Sequence, residues 1–278
     1  MAACPFGAIM PRLQIIDVLK ALKSGRKVVA MLAPAAAGQF NCGMDSLAGA
    51  VKKLGFYGMA EVAMGADVTS LKEADEFADR IGRGEKLMTS SCCPAYAEAV
   101  EKHIPELKNS ISSTPTPMHF VAEWVRKKVP GALTVFVGPC SAKRKEGILD
   151  DAVDFVLNFH ELNALFEAKE IDVANIDPAE SLCHGEWQGR GFPVTGGTTT
   201  AIQSHVADRV EMKPLSVDGL TSRSIKLLKT YAKGNCPGDF VEVMACEGGC
   251  VGGPGVMVPP KKSTAKVEKL VKETEENK

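Results

Sequence analysis

The chain is expected to fold as an α/β protein, with two lobes of mainly parallel sheet flanked by helices. Two observations carry that expectation. Short apolar runs closed by glycine or proline alternate with stretches whose apolar residues recur at helical spacing. Three cysteine-bearing loops each follow the C-terminal end of one such run, the edge where ligand sites gather in open parallel sheets. At 278 residues the chain is long enough for two well-buried lobes.

The elements follow in order. Residues 12–24 carry apolar side chains at helical spacing and stop at Gly25. Residues 27–33 form an apolar run ending at Pro34, a buried strand. Residues 46–54 read as a helix stopped by Gly55, 60–64 as a strand, and 71–81 as a helix with an acidic face. Residues 86–89 form a strand entering the Cys92–Cys93 loop, 118–128 a helix, and 132–137 a strand leading into Gly138-Pro139-Cys140. Residues 154–157 read as a short strand, 160–169 as a helix and 171–191 as a loop-rich connection. Residues 198–210 and 219–233 read as helices, and 240–244 as a strand running into Cys246. From Lys261 the charged C-terminal tail, residues 261–278, reads as a solvated helix that frays.

Composition excludes several classes. The formal net charge of −1 favours neither nucleic acid nor an anionic membrane as partner. No apolar run is long enough to span a bilayer. No basic stretch precedes an apolar core at the N-terminus, so a cytoplasmic protein is expected. Nine cysteines in a large chain without an export signal argue against a disulfide framework. Metal–sulfur ligation is the better account of them.

Four of those cysteines lie in glycine- and proline-marked segments: Cys93 in Thr89-Ser90-Ser91-Cys92-Cys93-Pro94, Cys140 in Gly138-Pro139-Cys140, and Cys246 and Cys250 in Met244-Ala245-Cys246-Glu247-Gly248-Gly249-Cys250. Four thiolates are what a cubane iron–sulfur cluster needs. Cys92 is then spare, and a spare thiol beside a cluster is a candidate for chemistry. Cys246 and Cys250 share a face if their segment begins a helix. The glycines around them mark either a flexible turn or close backbone approach to a bulky cluster, and their place between and after two ligands favours the second.

These segments closely resemble the three motifs of iron-only (FeFe) hydrogenases, over roughly residues 27–256: Ser91-Cys92-Cys93-Pro94, Pro139-Cys140-Ser141-Ala142-Lys143-Arg144-Lys145-Glu146 and Met244-Ala245-Cys246-Glu247-Gly248-Gly249-Cys250. The resemblance implies an iron–sulfur site between the two lobes. Cys93, Cys140, Cys246 and Cys250 would hold a 4Fe–4S cubane, with Cys250 bridging to a two-iron subsite that carries carbon monoxide, cyanide and an azadithiolate. The implied reaction is the reversible reduction of protons to dihydrogen. The implied partners are a ferredoxin or similar electron carrier and the maturation proteins that deliver the two-iron subsite.

Residue roles follow from the same resemblance. Cys92 matches the thiol that passes protons to the bridgehead amine. Lys143 matches a lysine that hydrogen-bonds a cyanide, whereas Arg144 and Lys145 read as surface cations. Ala33, Pro34 and Ala35 match a segment lining the other cyanide, and Met244 a methionine packed on the two-iron unit. Glu73, Glu76, Ser112 and Arg80 match a relay of two glutamates, a serine and a surface arginine. A solvated helix face is the other reading of those charges.

The sequence departs from the family at Gly138, where methionine is usual, and the missing side chain is expected to leave room beside the two-iron unit. It departs also at Tyr96 in place of tryptophan, at Met118 in place of glutamine, and at Gly253-Pro254-Gly255 within a glycine run. Such changes resemble divergent or sensory branches. A hydrogen sensor and a non-catalytic iron–sulfur assembly or scaffold protein are therefore the alternative functions. The latter generally lacks the spare cysteine, so Cys92 speaks against it.

Three segments of different character are expected. Residues 1–10, with Cys4-Pro5, resemble the end of a ferredoxin motif and read as the remnant of such a module in a longer protein. Residues 11–260 form the two-lobed domain, and the charged tail follows. Cys42, Cys183 and Cys236 read as structural, since Cys183-His184 has no partner at zinc-ligand spacing. His103, His119, His160 and His205 read as ordinary surface or core residues.

Overall fold

The computed structural model describes residues 11–277. The segment read as a ferredoxin remnant, with Cys4, lies outside the described residues.

The first lobe is built on a sheet of four strands. β1 (Val28–Leu32) is flanked by β2 (Gly58–Glu61) and β4 (Leu133–Val137), and β5 (Phe155–Leu157) completes the order β2-β1-β4-β5. All three pairings are parallel, with Ala30 opposite both Met59 and Val135. The second lobe holds β3 (Met88–Thr89), β7 (Phe240–Met244) and β6 (Pro214–Asp218), again parallel, in the order β3-β7-β6. β1, β4 and β7 are buried along their whole length. That is why they read as largely apolar runs, interrupted only by Thr134 and Glu242: helices cover both faces of a parallel sheet.

Helices α1 (Ile15–Lys23), α2 (Met44–Lys53), α5 (Pro117–Lys128), α6 (Lys143–Leu149) and α7 (Phe159–Ala168) belong to the first lobe. Its core gathers Met31, Leu32, Val51, Met59, Val135, Phe159 and Phe166, and the ring of Phe40 meets both Phe159 and Phe166 edge-on at 5.9 Å. α4 (Pro94–His103), α9 (Gly197–Val206) and α10 (Ser222–Ala232) pack the second. One of its clusters joins Tyr96, Val100, Ile104 and Val241, and another joins Phe77, Met88, Ile202 and Phe240. Each such buried side chain contributes roughly 1.5–3 kcal/mol relative to exposure.

One helix couples the lobes. α3 (Val62–Gly82) places Val62 in the core of the first and Phe77 in that of the second, where its ring meets Phe240 at 5.9 Å. It also packs against α5, α9 and α8 (Trp187–Gly191). Among the described residues no helix is long and apolar enough to cross a membrane.

The α/β class and the two parallel lobes stand as expected. Several boundaries move. The strand expected at 60–64 ends at Glu61, and Val62, Ala63 and Met64 already belong to α3. That helix therefore starts nine residues before the expected 71–81. Short apolar runs do not distinguish strand from buried helix, and here both occur back to back. β6 was not expected: it is a half-exposed edge strand with proline first, so it lacks the apolar signature. α6 and the short α8, the latter inside the stretch read as loop, were also missed.

The charged tail is α11 (Pro260–Glu276), which runs on to Glu276. It docks on the 3-10 turn Pro34–Gly38 and on α8, burying Ser263 and Val267. Ser263 Oγ accepts a bond of 2.8 Å from Gln39 Nε2, and Gln39 Oε1 accepts from the amides of Met257 and Val258.

Candidate metal centre

The three cysteine loops converge where the lobes meet. Cys93 ends the loop after β3 and is the N-cap of α4, Cys140 lies between β4 and α6, and Cys246 and Cys250 follow β7. All four, with Cys92, line one cavity.

The thiols sense one another. Burial pushes the Cys140 thiol up, and Cys93 adds to this against the lowering effect of Lys143. Burial, then Cys140 and Cys93, push Cys246 up to about 11. Cys250 is raised by burial and then by Cys140, Cys93 and Cys246. Thiolates crowded in this way require cationic metal to hold them deprotonated. Among the described residues no three His, Cys, Asp or Glu side chains converge on a single ion. Four thiols set around the wall of one cavity would instead suit a cluster that spreads its irons among several thiolates.

Cys246 and Cys250 do not share a helix face, contrary to one expectation. The residues between them form turns, Gly248 and Gly249 have φ of 81° and 89°, and Cys250 opens a 3-10 turn. A Cβ on Gly249 would lie 2.6 Å from Pro193 O and 2.8 Å from Thr195 N, so glycine there lets this loop seat on the Pro193 loop. The close approach is to protein backbone.

Apart from Lys143, the rest of the lining is apolar. Ala33, Pro34 and Ala35 leave the end of β1, held by the Ala33 amide donating to Val137 O at 2.9 Å. Met118 on α5, Met244 at the end of β7, and Phe136 and Phe192 close the walls. Tyr96, two residues after Pro94 on α4, is fully buried beneath and donates its hydroxyl to Thr89 Oγ1 at 2.9 Å.

The room expected at Gly138 is not there. A Cβ at that position would lie 2.7 Å from Phe136 Cε1 and 3.0 Å from Ala33 Cβ. The Phe136 ring fills the space that the glycine leaves.

Lys143 is buried, lines the cavity and is already paired. Its ammonium donates to Glu146 Oε1 at 2.8 Å and Thr116 Oγ1 at 3.0 Å. Burial works to lower its pKa, but Glu146 outweighs it and the ammonium is held protonated. Arg144 corrects another expectation: it is buried, ion-paired with Glu161, and donates to Val156 O at 2.8 Å, so it ties α6 to β5. Lys145 is on the surface as expected, paired with Glu98.

Cys92 packs among Ala66, Phe192 and Ala201 and opens on the cavity. Its sulfur lies 3.7 Å from Thr198 Oγ1. Burial and then the Glu73 carboxylate raise the thiol well above its ordinary value, so it holds its proton at neutral pH. Glu73 itself is fully buried. Its Oε1 accepts from the Ser91 amide at 2.8 Å, and its Oε2 has no hydrogen-bond partner. Burial pushes its carboxyl up to about 7, against the lowering effect of that amide.

Three residues along α3, Glu76 has the opposite surroundings. It accepts from Ser112 Oγ at 2.6 Å, from the Ser113 amide at 2.9 Å and from Arg80 at 2.6 Å. Burial opposes its ionisation, yet these bonds together hold its carboxyl down at about 2. Arg80 also donates to Asn109 O and Ile111 O, and it is 8% exposed. Glu73, Ser112, Glu76 and Arg80 thus come together. Glu73 and Arg80 are buried, so a solvated face does not describe them, whereas Glu76 is half-buried and lines an open surface groove together with the edge of Arg80.

Phe136, Thr116, Thr198 and Glu242 were passed over in the sequence. The run Thr198-Thr199-Thr200 after two glycines was the available signal for one of them. Cys183 donates to Glu61 O, and His184 meets Glu61, which also binds Arg190. His119 pairs with Asp150 at 2.9 Å.

Comparison with known proteins places this geometry. The family model for the C-terminal domain of the iron only hydrogenase large subunit matches residues 26–254. The chain is 29% identical over 310 residues to iron hydrogenase 1 of Clostridium pasteurianum, covering 90% of this chain and 54% of that protein. It therefore spans about half the length of that relative. It is 29% identical over 303 residues to the periplasmic Fe hydrogenase large subunit of Nitratidesulfovibrio vulgaris, covering 88% of this chain and 72% of that one. It is also similar, at 24% identity over 75% of this chain and 65% of the other, to the cytosolic Fe-S cluster assembly factor narfl of Danio rerio. Among solved structures, a variant of an FeFe-hydrogenase from Chlamydomonas reinhardtii superposes with a TM-score of 0.74 at 20% identity, over 92% of this chain and 88% of that one. That likeness speaks for the fold.

Proposed function

The chain belongs to the iron-only hydrogenase family, matching the C-terminal domain of its large subunit, and from that membership we propose that it catalyses the reversible reduction of protons to dihydrogen. One observation carries the reading: Cys92, a thiol beyond the four needed for a cubane, lines the same cavity as they do and has the buried Glu73 as its main charged neighbour. A scaffold for a cubane needs no such thiol.

Cys93, Cys140, Cys246 and Cys250 would hold a 4Fe–4S cubane, and Cys250 would also carry a two-iron subsite with carbon monoxide, cyanide and azadithiolate. When bound, that group supplies the redox chemistry of two protons and two electrons giving dihydrogen. The chain supplies the dry, apolar walls of Ala33, Pro34, Ala35 and Met244 and the fixed ammonium of Lys143 for an anionic ligand. Cys92 Sγ would give its proton to the group bound in the cavity and take one back from the Glu73 carboxyl, which titrates near 7 and so both holds and yields a proton at neutral pH. Ser112, Glu76 and Arg80 would connect Glu73 to the surface. A ferredoxin-type carrier would bring the electrons, and maturation proteins the two-iron subsite.

The test is to mature the chain, record infrared bands of bound carbon monoxide and cyanide, and measure hydrogen evolution with a reduced dye. Both are expected, and Cys92→Ala should keep the iron and the bands while losing turnover on the order of a hundredfold or more. The similarity to the assembly factor favours a second reading, iron–sulfur cluster assembly. A cubane without those bands after maturation would support it, whereas bands without turnover would support a sensor.

A further inference from the structure

The triplet Thr198-Thr199-Thr200 opens α9 directly after two glycines and has no part in the reading above. Its three hydroxyls go to three destinations. Thr200 Oγ1 donates to Gly196 O at 2.9 Å, the ordinary back-bond of a helical threonine. Thr199 Oγ1 donates to Glu242 Oε2 at 2.8 Å. Thr198, fully buried, turns its Oγ1 to Cys92 Sγ at 3.7 Å, which is hydrogen-bond range for sulfur.

Glu242 fixes that first turn. It is fully buried on β7, and its Oε2 accepts from the Gly196 amide at 2.9 Å as well as from Thr199. The amide end of α9 therefore meets a side-chain oxygen that accepts from one of its free N–H groups. Two residues on, the same strand supplies Met244, and then comes Cys246. The strand that leads to the cluster ligands thus clamps the helical turn that carries Thr198.

Cys92 also packs on the apolar side chains of Ala66, Phe192 and Ala201, while Glu73 acts on it through charge and makes no hydrogen bond to it. Apolar contacts do not choose strongly among the three staggered positions of a small thiol. Among the described residues, Thr198 is the one side-chain hydrogen-bond partner of the Cys92 sulfur.

We propose that Thr198 is a positioning residue for Cys92: its hydroxyl holds the thiol in the rotamer that faces the cavity, and Glu242 holds Thr198 in place by clamping the first turn of α9. This rests on the reading of Cys92 as the thiol that hands protons to the bound group.

Two substitutions separate shape from hydrogen bonding. Thr198→Val keeps the shape and removes the hydroxyl, and Thr198→Ser keeps the hydroxyl. The first readout needs no activity. In the full chain produced without maturation proteins, the S–H stretching band of Cys92 is assigned by its loss in Cys92→Ala. It should shift and broaden in Thr198→Val and return to the wild-type position in Thr198→Ser. An unchanged band in Thr198→Val, with Thr198→Ala giving the same result should the valine variant fold poorly, overturns the proposal. The second readout is turnover of the matured protein. Thr198→Val should lower it roughly tenfold with the carbon monoxide and cyanide bands intact, the scale expected when a reacting group is slightly misplaced, and Thr198→Ser should restore most of it. Full turnover in Thr198→Val also overturns the proposal. A matured wild type that shows no turnover counts against the hydrogenase reading, and the S–H band then still decides whether Thr198 holds the thiol.

Discussion

Replacing Glu73 by Gln should stabilise the fold at alkaline pH while disabling the site. Glu73 is fully buried, and its Oε2 has no hydrogen-bond partner. Burial raises its carboxyl from about 4.5 to about 7. The sign follows from proton counts. Between those two values the folded chain holds a proton that the unfolded chain has released, so stability falls as pH rises. Below about 4.5 both states are protonated and the residue costs nothing, whereas above about 7 the full cost is present. Taking about 1.4 kcal/mol per pH unit over that gap gives roughly 3 kcal/mol at pH 8. Gln keeps an oxygen for the Ser91 amide and puts its amide nitrogen near Ser91 Oγ, a buried hydroxyl that has no partner. It carries no charge at any pH. Urea unfolding of the chain made without maturation proteins, at pH 5 and pH 8, is the assay. The variant should lie within about 1 kcal/mol of wild type at pH 5 and exceed it at pH 8 by up to roughly 3 kcal/mol. The matured variant should lose turnover on the order of a hundredfold, because Gln cannot carry a proton. Parallel pH dependence in the two proteins would refute the claim that Glu73 is buried with a raised pKa.

Other substitutions test other parts of the site. Cys140→Ser should abolish or greatly weaken the cubane, read as iron content and the cluster's absorption, and full retention of both would sink the ligand assignment. Glu76→Gln should weaken the fold at neutral pH, and the deficit should shrink as the pH falls from about 4.5 toward about 2, since the wild-type carboxylate contributes stability only while ionised. Equal urea midpoints at pH 7 would contradict it. Gly138→Ala should cost about 1–3 kcal/mol because its Cβ meets the Phe136 ring. Adding Phe136→Leu should recover part of the loss, and a neutral Gly138→Ala would show that the ring yields freely.

The sequence by itself determined the α/β class, most of the helices and strands, and the four candidate ligands, and it singled out Cys92. These are local signals. A parallel strand buried on both faces is a largely apolar run, as β1, β4 and β7 are apart from Thr134 and Glu242, and a cubane is held by thiolates, which this chain carries in loops at strand ends. Only the tertiary structure decided which charges are buried and what fills each gap. Glu73 and Glu76 lie three residues apart on one helix and look alike in sequence. One is fully buried with a single hydrogen bond, from the Ser91 amide, and titrates near 7, while the other meets Ser112, Ser113 and Arg80 and stays ionised down to about 2. Arg144 reads as a surface cation until Glu161 is brought against it. Gly138 reads as a vacancy until the Phe136 ring, two residues back, is seen to occupy it. Thr198 reads as one more helical threonine until the loop between β3 and α4 sets Cys92 beside it. In each case the deciding partner is supplied by packing. Desolvation and hydrogen bonding depend on what packing brings near a group, and residue type alone does not carry that information.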